Sequence, residues 1–204
     1  MRRVVRLPFR MLFGAIITTL LLSVASFAQT TQQEGSFSNI KIKNFGQMDE
    51  RFYRGAQPKK EEDYAALKAL GIKTVIDLQE KPKDYERPMV EALGMRYVNI
   101  PMVDKEYPKQ EWVDAFLKVV NDPATGKFYV HCAGGRHRTG AMGAVYRYTK
   151  YGWSYDQVYA EMKKFDFYTS WGHGDFKTFV QDYWQQMQAT KGAATAAKTA
   201  SGTR

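Results

Sequence analysis

The only cysteine of the chain, Cys132, lies in the stretch VHCAGGRHRTG and is followed by residue types that bind anions. Gly134 and Gly135 permit positive φ angles, with which successive backbone N–H groups turn toward one point. A helix predicted to begin near Arg138 adds unpaired N–H groups and the positive end of its dipole. The loop behind the cysteine is therefore predicted to bind a tetrahedral oxyanion.

The chemistry that fits this loop is covalent phosphoryl transfer. A cysteine at the mouth of a positive loop has a depressed pKa, and its thiolate is a strong nucleophile. Arg138 can bind two phosphate oxygens with its planar fork, and Thr139 can donate its hydroxyl to the sulfur. His131 is expected to orient the loop. The substrate-binding set is predicted to be Ala133, Gly134, Gly135, Arg136, His137 and Arg138.

A lone cysteine is more often a small, inert part of a hydrophobic core. Here the cysteine follows an apolar run and is followed, at the spacing that an oxyanion loop needs, by two glycines, an arginine and a threonine. This combination favours catalysis. An exported chain with one cysteine forms no internal disulfide. It also has no second thiol to rescue an oxidised nucleophile, so oxidation is expected to inactivate it.

Strands and helices alternate along the chain and position this loop. Strands are predicted at 51–55, 72–78, 95–100 and 127–132, with helices between them at about 58–70, 84–93 and 108–120. Further helices are predicted at about 138–150, 154–165 and 175–188. Alternation of this kind predicts an α/β fold, with a central, largely parallel sheet flanked by helices. Cys132 then ends a strand, and open sheets bind ligands at the carboxyl ends of their strands.

The N-terminal 28 residues read as a secretory signal peptide. Four arginines precede the apolar run MLFGAIITTLLLSVASFA, and Ser26 and Ala28 stand at the −3 and −1 positions of a cleavage site. Cleavage there would begin the mature chain at Gln29 and export it to the periplasm or the medium. The alternative is an uncleaved membrane anchor, because the apolar run approaches spanning length.

The composition of the remaining residues indicates three segments. Residues 29–44 are predicted to be a linker, 45–188 a single domain, and 189–204 a disordered tail of small and polar residues. The four N-terminal arginines and the three cations of the tail account for seven of the nine net positive charges. The domain itself is therefore nearly neutral, which argues against a nucleic-acid partner. A membrane contact is expected only through an uncleaved signal segment.

The motif His-Cys-x-x-Gly-x-x-Arg-Thr-Gly at 131–140 resembles the signature of cysteine-dependent protein tyrosine and dual-specificity phosphatases. Its GRHRTG form is similar to that of the compact atypical dual-specificity branch and its bacterial relatives. The segments FYRGAQP (52–58), LGIKTVIDLQE (70–80) and IPM (100–102) resemble landmarks of that family in the expected order. The resemblance covers about residues 45–185, and it implies the phosphatase fold and hydrolysis of phosphate monoesters.

The resemblance also implies a carboxylic acid that protonates the leaving alcohol, on a loop some thirty residues before the cysteine. Asp104, in IPMVDKEYP, fits this position, and Glu106 is the alternative. Asp77 is expected to be structural. Lys105, Tyr107, Trp171 and His173 could line a substrate rim, although aromatic packing explains Trp171 and His173 equally well. With three histidines, two of them in the signature, no metal and no cofactor are expected.

Other functions remain open at this point. Rhodaneses and arsenate reductases also place a cysteine in an oxyanion loop, but rhodanese loops usually lack the Arg-Thr-Gly ending, and small arsenate reductases carry the motif near the N-terminus. A phosphate-binding module without turnover is a further alternative. The substrate could be a phosphorylated protein, or a small molecule such as an inositol phosphate or a phospholipid head group.

Overall fold

A computed structural model describes residue 37 and residues 39–201, with side chains to residue 197. The predicted signal peptide lies outside the described residues. The strands are β1 (Gly46–Gln47), β2 (Phe52–Ala56), β3 (Ile72–Asp77), β4 (Arg96–Asn99) and β5 (Lys127–Cys132). The helices are α1 (Glu61–Ala69), α2 (Glu86–Ala92), α3 (Gln110–Asn121), α4 (His137–Tyr146), α5 (Tyr155–Lys164) and α6 (Gly174–Ser201). A short 3-10 helix spans Pro123–Thr125, and a π-helical turn, Arg147–Tyr151, continues α4.

Within the described residues, the strands form one sheet in the order β1-β2-β5-β3-β4. Only β1 runs antiparallel to its neighbour, so the predicted α/β fold with a largely parallel sheet is confirmed. Strand β5 is central, and its end is paired on both sides: Cys132 lies opposite Ala56, and His131 lies opposite Asp77. The sheet therefore brings the ends of three strands together at the signature loop.

Alternation along β5 divides its side chains between two hydrophobic layers. Phe128, Val130 and Cys132 belong to the core beneath α3, α4, α5 and α6. Tyr129 belongs to the second core, which α1 and α2 cover. Each buried Phe or Val contributes about 1.5–3 kcal/mol relative to exposure, so both layers hold the register of β5 and with it the position of the cysteine.

The predicted linker at 29–44 is wrong in its second half. Ile40 and Ile42 are buried in the α1/α2 core, and Phe37 packs against it. Asn44 contacts the signature loop directly. Three large apolar residues within six positions bury enough surface to hold this segment against the sheet. The packed domain therefore begins before residue 45.

The tail, predicted to be disordered from residue 189, begins within α6, which continues past residue 188 to Ser201. The side chains from 188 to 197 are nevertheless exposed. An alanine-rich segment can extend a packed helix without burying surface, since propagation adds one hydrogen bond per residue and alanine has the best helix propensity. In the described part of the chain, no helix is apolar enough over a sufficient length to cross a membrane.

Candidate active site

The signature loop joins the end of β5 to the first turn of α4, as its residue types predict. Gly135 has a φ of +67°, and a Cβ atom there would lie 2.3 Å from the carbonyl carbon of Gly55. Only glycine fits this position, because the backbone of β2 passes directly against the loop. Gly134 is not in the left-handed region, so only one of the two glycines carries the predicted positive φ.

Two side chains outside the signature hold the loop by its carbonyl groups. Asn44 donates from Nδ2 to the carbonyl oxygen of Gly134 at 2.8 Å, and Arg54 donates from Nη2 to that of Gly135 at 2.7 Å. Arg54 is buried, and its guanidinium lies 4.0 Å from the ring centre of Phe165. Burial lowers its pKa to about 10, although Glu161 and Cys132 act in the opposite direction.

Sequence analysis did not single out Asn44 or Arg54. Arg54 lies within the segment FYRGAQP, and the resemblance of this segment to the family was the one sequence feature that could have pointed to it. Their hydrogen bonds fix the loop carbonyls from outside, and this orientation favours N–H groups that face inward.

The thiol of Cys132 is the predicted nucleophile, and its surroundings stabilise the thiolate. Burial raises its pKa, but the Arg138 guanidinium, the Thr139 hydroxyl and the amides of Thr139 and Arg136 outweigh burial. The net pKa is below the ordinary value. The Thr139 hydroxyl is fully buried and makes no other hydrogen bond among the described residues, so it is available to the sulfur. The predicted partnership of these residues agrees with the structure.

Arg138 returns across the loop as predicted and links it to the segment after β4. Its Nη1 donates to the carbonyl oxygen of Met102 at 3.2 Å. Its Nε has no hydrogen-bond partner in the described part of the chain and lies 3.7 Å from Oδ1 of Asp104. A buried guanidinium with an unsatisfied N–H group beside the thiolate is suited to bind phosphate oxygens.

The two candidate acids differ in their surroundings. Asp104 approaches both Arg138 and, at 4.0 Å from Oδ1 to Nε2, His173. Glu106 is exposed and makes no hydrogen bond or ion pair within the described residues. The structure therefore places Asp104, not Glu106, beside the signature loop.

His137 was predicted to bind substrate, but its ring is packed inside the protein. It stacks on His173 with 3.7 Å between ring centres, and its Nε2 lies 3.1 Å from the carbonyl oxygen of Tyr168. Burial and His173 lower the pKa of His137 to about 4, so the ring is neutral at neutral pH. The side chain thus ties the loop to the segment before α6, and only its backbone N–H group is left for an anion.

The rim of the site contains aromatic and basic side chains. Trp171 is 81% exposed, and the stem of Lys105 packs near Gly172, next to that tryptophan. Arg136 is partly exposed and pairs with Asp166 at 3.4 Å. Tyr107 is turned away, since its hydroxyl donates to Asp182 on α6 and its ring packs edge-on against Phe179.

His131 lies on the opposite face of β5 from the cysteine, between two buried carboxylates. Its Nε2 lies 2.9 Å from Glu86 and its Nδ1 3.8 Å from Asp77. Asp77 also accepts hydrogen bonds from the Gln79 amide and the Tyr97 hydroxyl, so it ties neighbouring segments together as predicted. Burial lowers the pKa of His131, but the two carboxylates outweigh it and the net pKa is raised.

Asp77, Glu86 and His131 are residue types that can bind a metal ion. Within the described residues they form a group in which one potential ligand atom from each lies within 4.8 Å of the others. All three are buried, and the Nε2 atom of His131 contacts Glu86 directly. The imidazole of His131 occupies the space between the carboxylates of Glu86 and Asp77, and the three side chains form a buried ion-pair cluster.

Comparisons with known proteins find a family and several relatives to which this chain is similar. A protein-family model described as DSP-PTPase phosphatase fused to NAD+ kinase matches residues 22–182. NAD kinase 2 of Arabidopsis thaliana is 36% identical over 109 residues, which are 49% of this chain and 10% of that protein. The inositol diphosphatase DSP3 of the same plant is 28% identical over 127 residues, or 59% of this chain and 61% of DSP3. The chain thus spans less than two thirds of these relatives.

Solved structures share the fold. The crystal structure of TpbA from P. aeruginosa has a TM-score of 0.59 and 26% identity, and the match covers 69% of this chain and 84% of TpbA. The catalytic core of the S. cerevisiae PP-IP phosphatase SIW14 has a TM-score of 0.60 over 75% of this chain and 95% of that one. At 20% identity, the second likeness concerns the fold alone.

Proposed function

We propose that this chain, which belongs to the DSP-PTPase family of phosphatases, hydrolyses phosphate monoesters through a phosphoryl group carried on Cys132. The observation that carries the proposal is the thiol at the end of β5. It has a lowered pKa and faces Arg138 and the Thr139 hydroxyl. A thiolate beside a guanidinium can attack the phosphorus of a bound ester.

In the first step, the Cys132 sulfur attacks the phosphorus, and a P–S bond forms as the bond to the leaving oxygen breaks. Arg138 and the loop N–H groups bind the other phosphate oxygens and stabilise the charge of the transition state. Asp104, protonated at this stage, gives its proton to the leaving oxygen, so the product departs as a neutral alcohol.

In the second step, water attacks the phosphorus of the cysteinyl phosphate. The Asp104 carboxylate takes a proton from the water, the P–S bond breaks, and inorganic phosphate is released. The sulfur leaves as a thiolate, which the Thr139 hydroxyl and Arg138 stabilise. The cycle restores both groups and needs no metal, electron or co-substrate.

Phosphotyrosine, in proteins or peptides, is the substrate class that we favour. An exposed indole, Trp171, stands on the rim and offers a flat apolar surface for an aromatic leaving group. A second crystal structure of P. aeruginosa TpbA, at 23% identity, contains pTyr.

Inositol polyphosphates are the alternative, because Lys105 and Arg136 are rim cations and the relatives DSP3 and SIW14 are inositol diphosphatases. A panel of phosphotyrosyl, phosphoseryl and phosphothreonyl peptides, inositol phosphates and phospholipids distinguishes these classes. Phosphatase activity confined to inositol diphosphates would reverse our preference. A module that only binds phosphate would protect Cys132 from alkylation but release no product.

We further propose that the protein is exported and loses residues 1–28 as a signal peptide. The basic segment, the apolar run and the Ser26–Ala28 site support this proposal. Its substrates would then be phosphorylated proteins or small phosphorylated molecules outside the cytoplasm.

A further inference from the structure

His173 is a buried histidine that the proposed reaction does not use. It lies directly before α6, and its ring stacks on that of His137, the first residue of α4, with 3.7 Å between ring centres. Its Nε2 atom lies 4.0 Å from Oδ1 of Asp104. His173 therefore connects the end of the signature loop to the segment that carries the candidate acid.

The two ring nitrogens of His173 have different surroundings. Nδ1 lies 3.0 Å from the carbonyl oxygen of Ser170, which can only accept a hydrogen bond, so Nδ1 carries a proton. Nε2 is left to face Asp104. A neutral ring offers a lone pair to the protonated carboxyl group, and a charged ring offers an N–H group to the carboxylate. In either state, Nε2 favours a carboxyl group that is turned toward it.

The separation of 4.0 Å is longer than a hydrogen bond. The Asp104 side chain is half-exposed, so it has the freedom to rotate toward the imidazole. Hydrogen bonds to catalytic groups are often long in the free enzyme and shorten when substrate binds. The contact is therefore suited to closing during the reaction.

The backbone on both sides of this contact has an uncommon conformation. Lys105, directly after Asp104, has a φ of +62°, and Trp171, two residues before His173, has a φ of +60°. Such angles are unfavourable for residues other than glycine, so the surrounding packing must maintain them. The Lys105 stem provides such packing, since a Cβ atom on Gly172 would lie 3.4 Å from its Cδ. The two segments thus contact each other beside the aspartate and the histidine.

We propose that His173 is a positioning residue for the general acid and holds the Asp104 carboxyl group beside the signature loop. The inference rests on the proposed function, in which Asp104 protonates the leaving oxygen. Arg138 also approaches Oδ1 of Asp104, at 3.7 Å, but its guanidinium is engaged once it binds phosphate. His173 remains available to the carboxyl group at that stage. Position matters here, because an acid displaced by about 1 Å can lose about 10²-fold in rate.

The other charged and titratable groups around His173 do not replace Asp104. Burial and His173 lower the pKa of His137 to about 4, so the stacked ring is neutral at neutral pH. The ring of Tyr168 packs edge-on against His173, with 5.1 Å between ring centres, and its face is 5.8 Å from the Arg136 guanidinium. In the described part of the chain, the carboxylate that pairs with His173 is that of Asp104.

The first test removes both ring nitrogens and keeps a flat ring that can stack on His137. In His173→Phe we expect kcat/KM for tyrosyl and alkyl phosphates to fall by about 10- to 100-fold, as for a misplaced acid. An aryl phosphate with a very acidic leaving group should lose much less, and vanadate should bind as in the unsubstituted protein.

The same substitution in an Asp104→Asn background should cause no further loss. A residue that acts through the acid has nothing to position once the acid is removed, so the two effects are not additive. Equal losses in both backgrounds would overturn the inference, as would a loss in His173→Phe that is the same for every leaving group.

A matched pair of amide variants separates the role of Nε2 from that of the stacked ring. The amide of His173→Gln reaches the position of Nε2, whereas that of His173→Asn reaches only the position of Nδ1. Both variants lose the ring. We expect His173→Gln to retain more kcat/KM toward alkyl phosphates than His173→Asn, and equal losses would assign the effect to packing. If thermal melting shows that His173→Phe does not fold, this comparison decides.

The contact is also tested without turnover, by NMR of histidine-labelled protein. The chain has three histidines, and the signal that disappears in a folded His173 variant identifies this ring. Asp104→Asn should move the ring signals of His173, whereas Glu106→Gln, at an exposed carboxylate of the same loop, should leave them in place. Unmoved signals in Asp104→Asn would overturn the inference even in an active phosphatase. Moved signals in a protein that hydrolyses no phosphate ester would place the failure in the proposed function.

Discussion

The Nε atom of Arg138 lies 3.7 Å from Oδ1 of Asp104, so the arginine proposed to bind phosphate and the candidate acid meet across two loops. The same arginine is fixed by its hydrogen bond to the carbonyl oxygen of Met102, two residues before the aspartate. The proposed binding of phosphate by Arg138 and the proposed protonation of the leaving oxygen by Asp104 would therefore take place next to each other. This contact is the basis for separating the roles of the two residues by mutation.

Cys132→Ser should abolish turnover and retain binding of phosphate or vanadate. The loop N–H groups and Arg138 remain in place, whereas a serine hydroxyl is not ionised at neutral pH and is a poor nucleophile. Binding is measured as the rise in melting temperature that the anion produces. Substantial residual hydrolysis in this variant would exclude a covalent intermediate on the cysteine.

The thiol should react with iodoacetamide at a lower pH than a free cysteine does. Only the thiolate is alkylated, so the rate rises as pH increases through the thiol pKa and then reaches a plateau. Arg138 and Thr139 bring the net pKa below its ordinary value despite burial, and this moves the rise to lower pH. Phosphate should protect the thiol. A midpoint at or above that of free cysteine contradicts the lowered pKa.

Gly135→Ala should destabilise the fold by about 2–5 kcal/mol, the combined cost of a positive φ and of overpacking. The new Cβ would meet the backbone of Gly55, which cannot move without shifting β2. Gly134→Ala is the matched control, because its Cβ would meet only the flexible end of Arg136 at 3.3 Å. Urea denaturation of both variants checks this. Equal stability losses would show that contact with β2 is not the cause.

The element order and the signature loop were predictable because their signals are local. A strand was predicted at residues 127–132 and a helix at about 154–165, and the structure has β5 at Lys127–Cys132 and α5 at Tyr155–Lys164. In each case, residues within a few positions fix the backbone conformation. The spacing from Cys132 to Arg138 likewise follows from a single loop.

The partners that hold the loop from outside were not predictable in the same way. Asn44 and Arg54 are separated from the glycines they bind by 90 and 81 positions. Glu86 is the first residue of α2, and the residue types beside it in the sequence do not mark it as buried. Such contacts depend on the sheet order, in which β2 and β3 flank β5, and the order becomes known only from the assembled fold.

The mature N-terminus should be Gln29 when the protein is produced in a secreting host. The Ser26–Ala28 pair places cleavage after residue 28, which leaves 176 of the 204 residues. Intact-mass measurement of the exported protein decides this. Protein that still carries Met1 and fractionates with membranes would instead indicate an uncleaved anchor.

Asp104→Asn should lower the turnover of tyrosyl and alkyl phosphates by about 10²–10⁴-fold, the usual contribution of a general acid. It should matter much less for an aryl phosphate with a very acidic leaving group, because such a group departs without a proton. The basic limb of the pH–rate profile should also flatten, since the variant has no carboxyl proton to lose. Steady-state rates across a series of leaving groups measure all three effects.

Glu106→Gln is the matched control for this prediction, because it removes the same charge from the same loop at an exposed side chain. We expect Glu106→Gln to keep the leaving-group dependence of the unsubstituted enzyme, since the glutamate contacts neither Arg138 nor His173 in the described residues. Equal losses in both variants for every leaving group would indicate a disturbed loop or weakened binding and not a lost proton donor. A leaving-group dependence that changes only in Glu106→Gln would move the acid to that residue, which requires the loop to turn so that Glu106 replaces Asp104 beside Arg138.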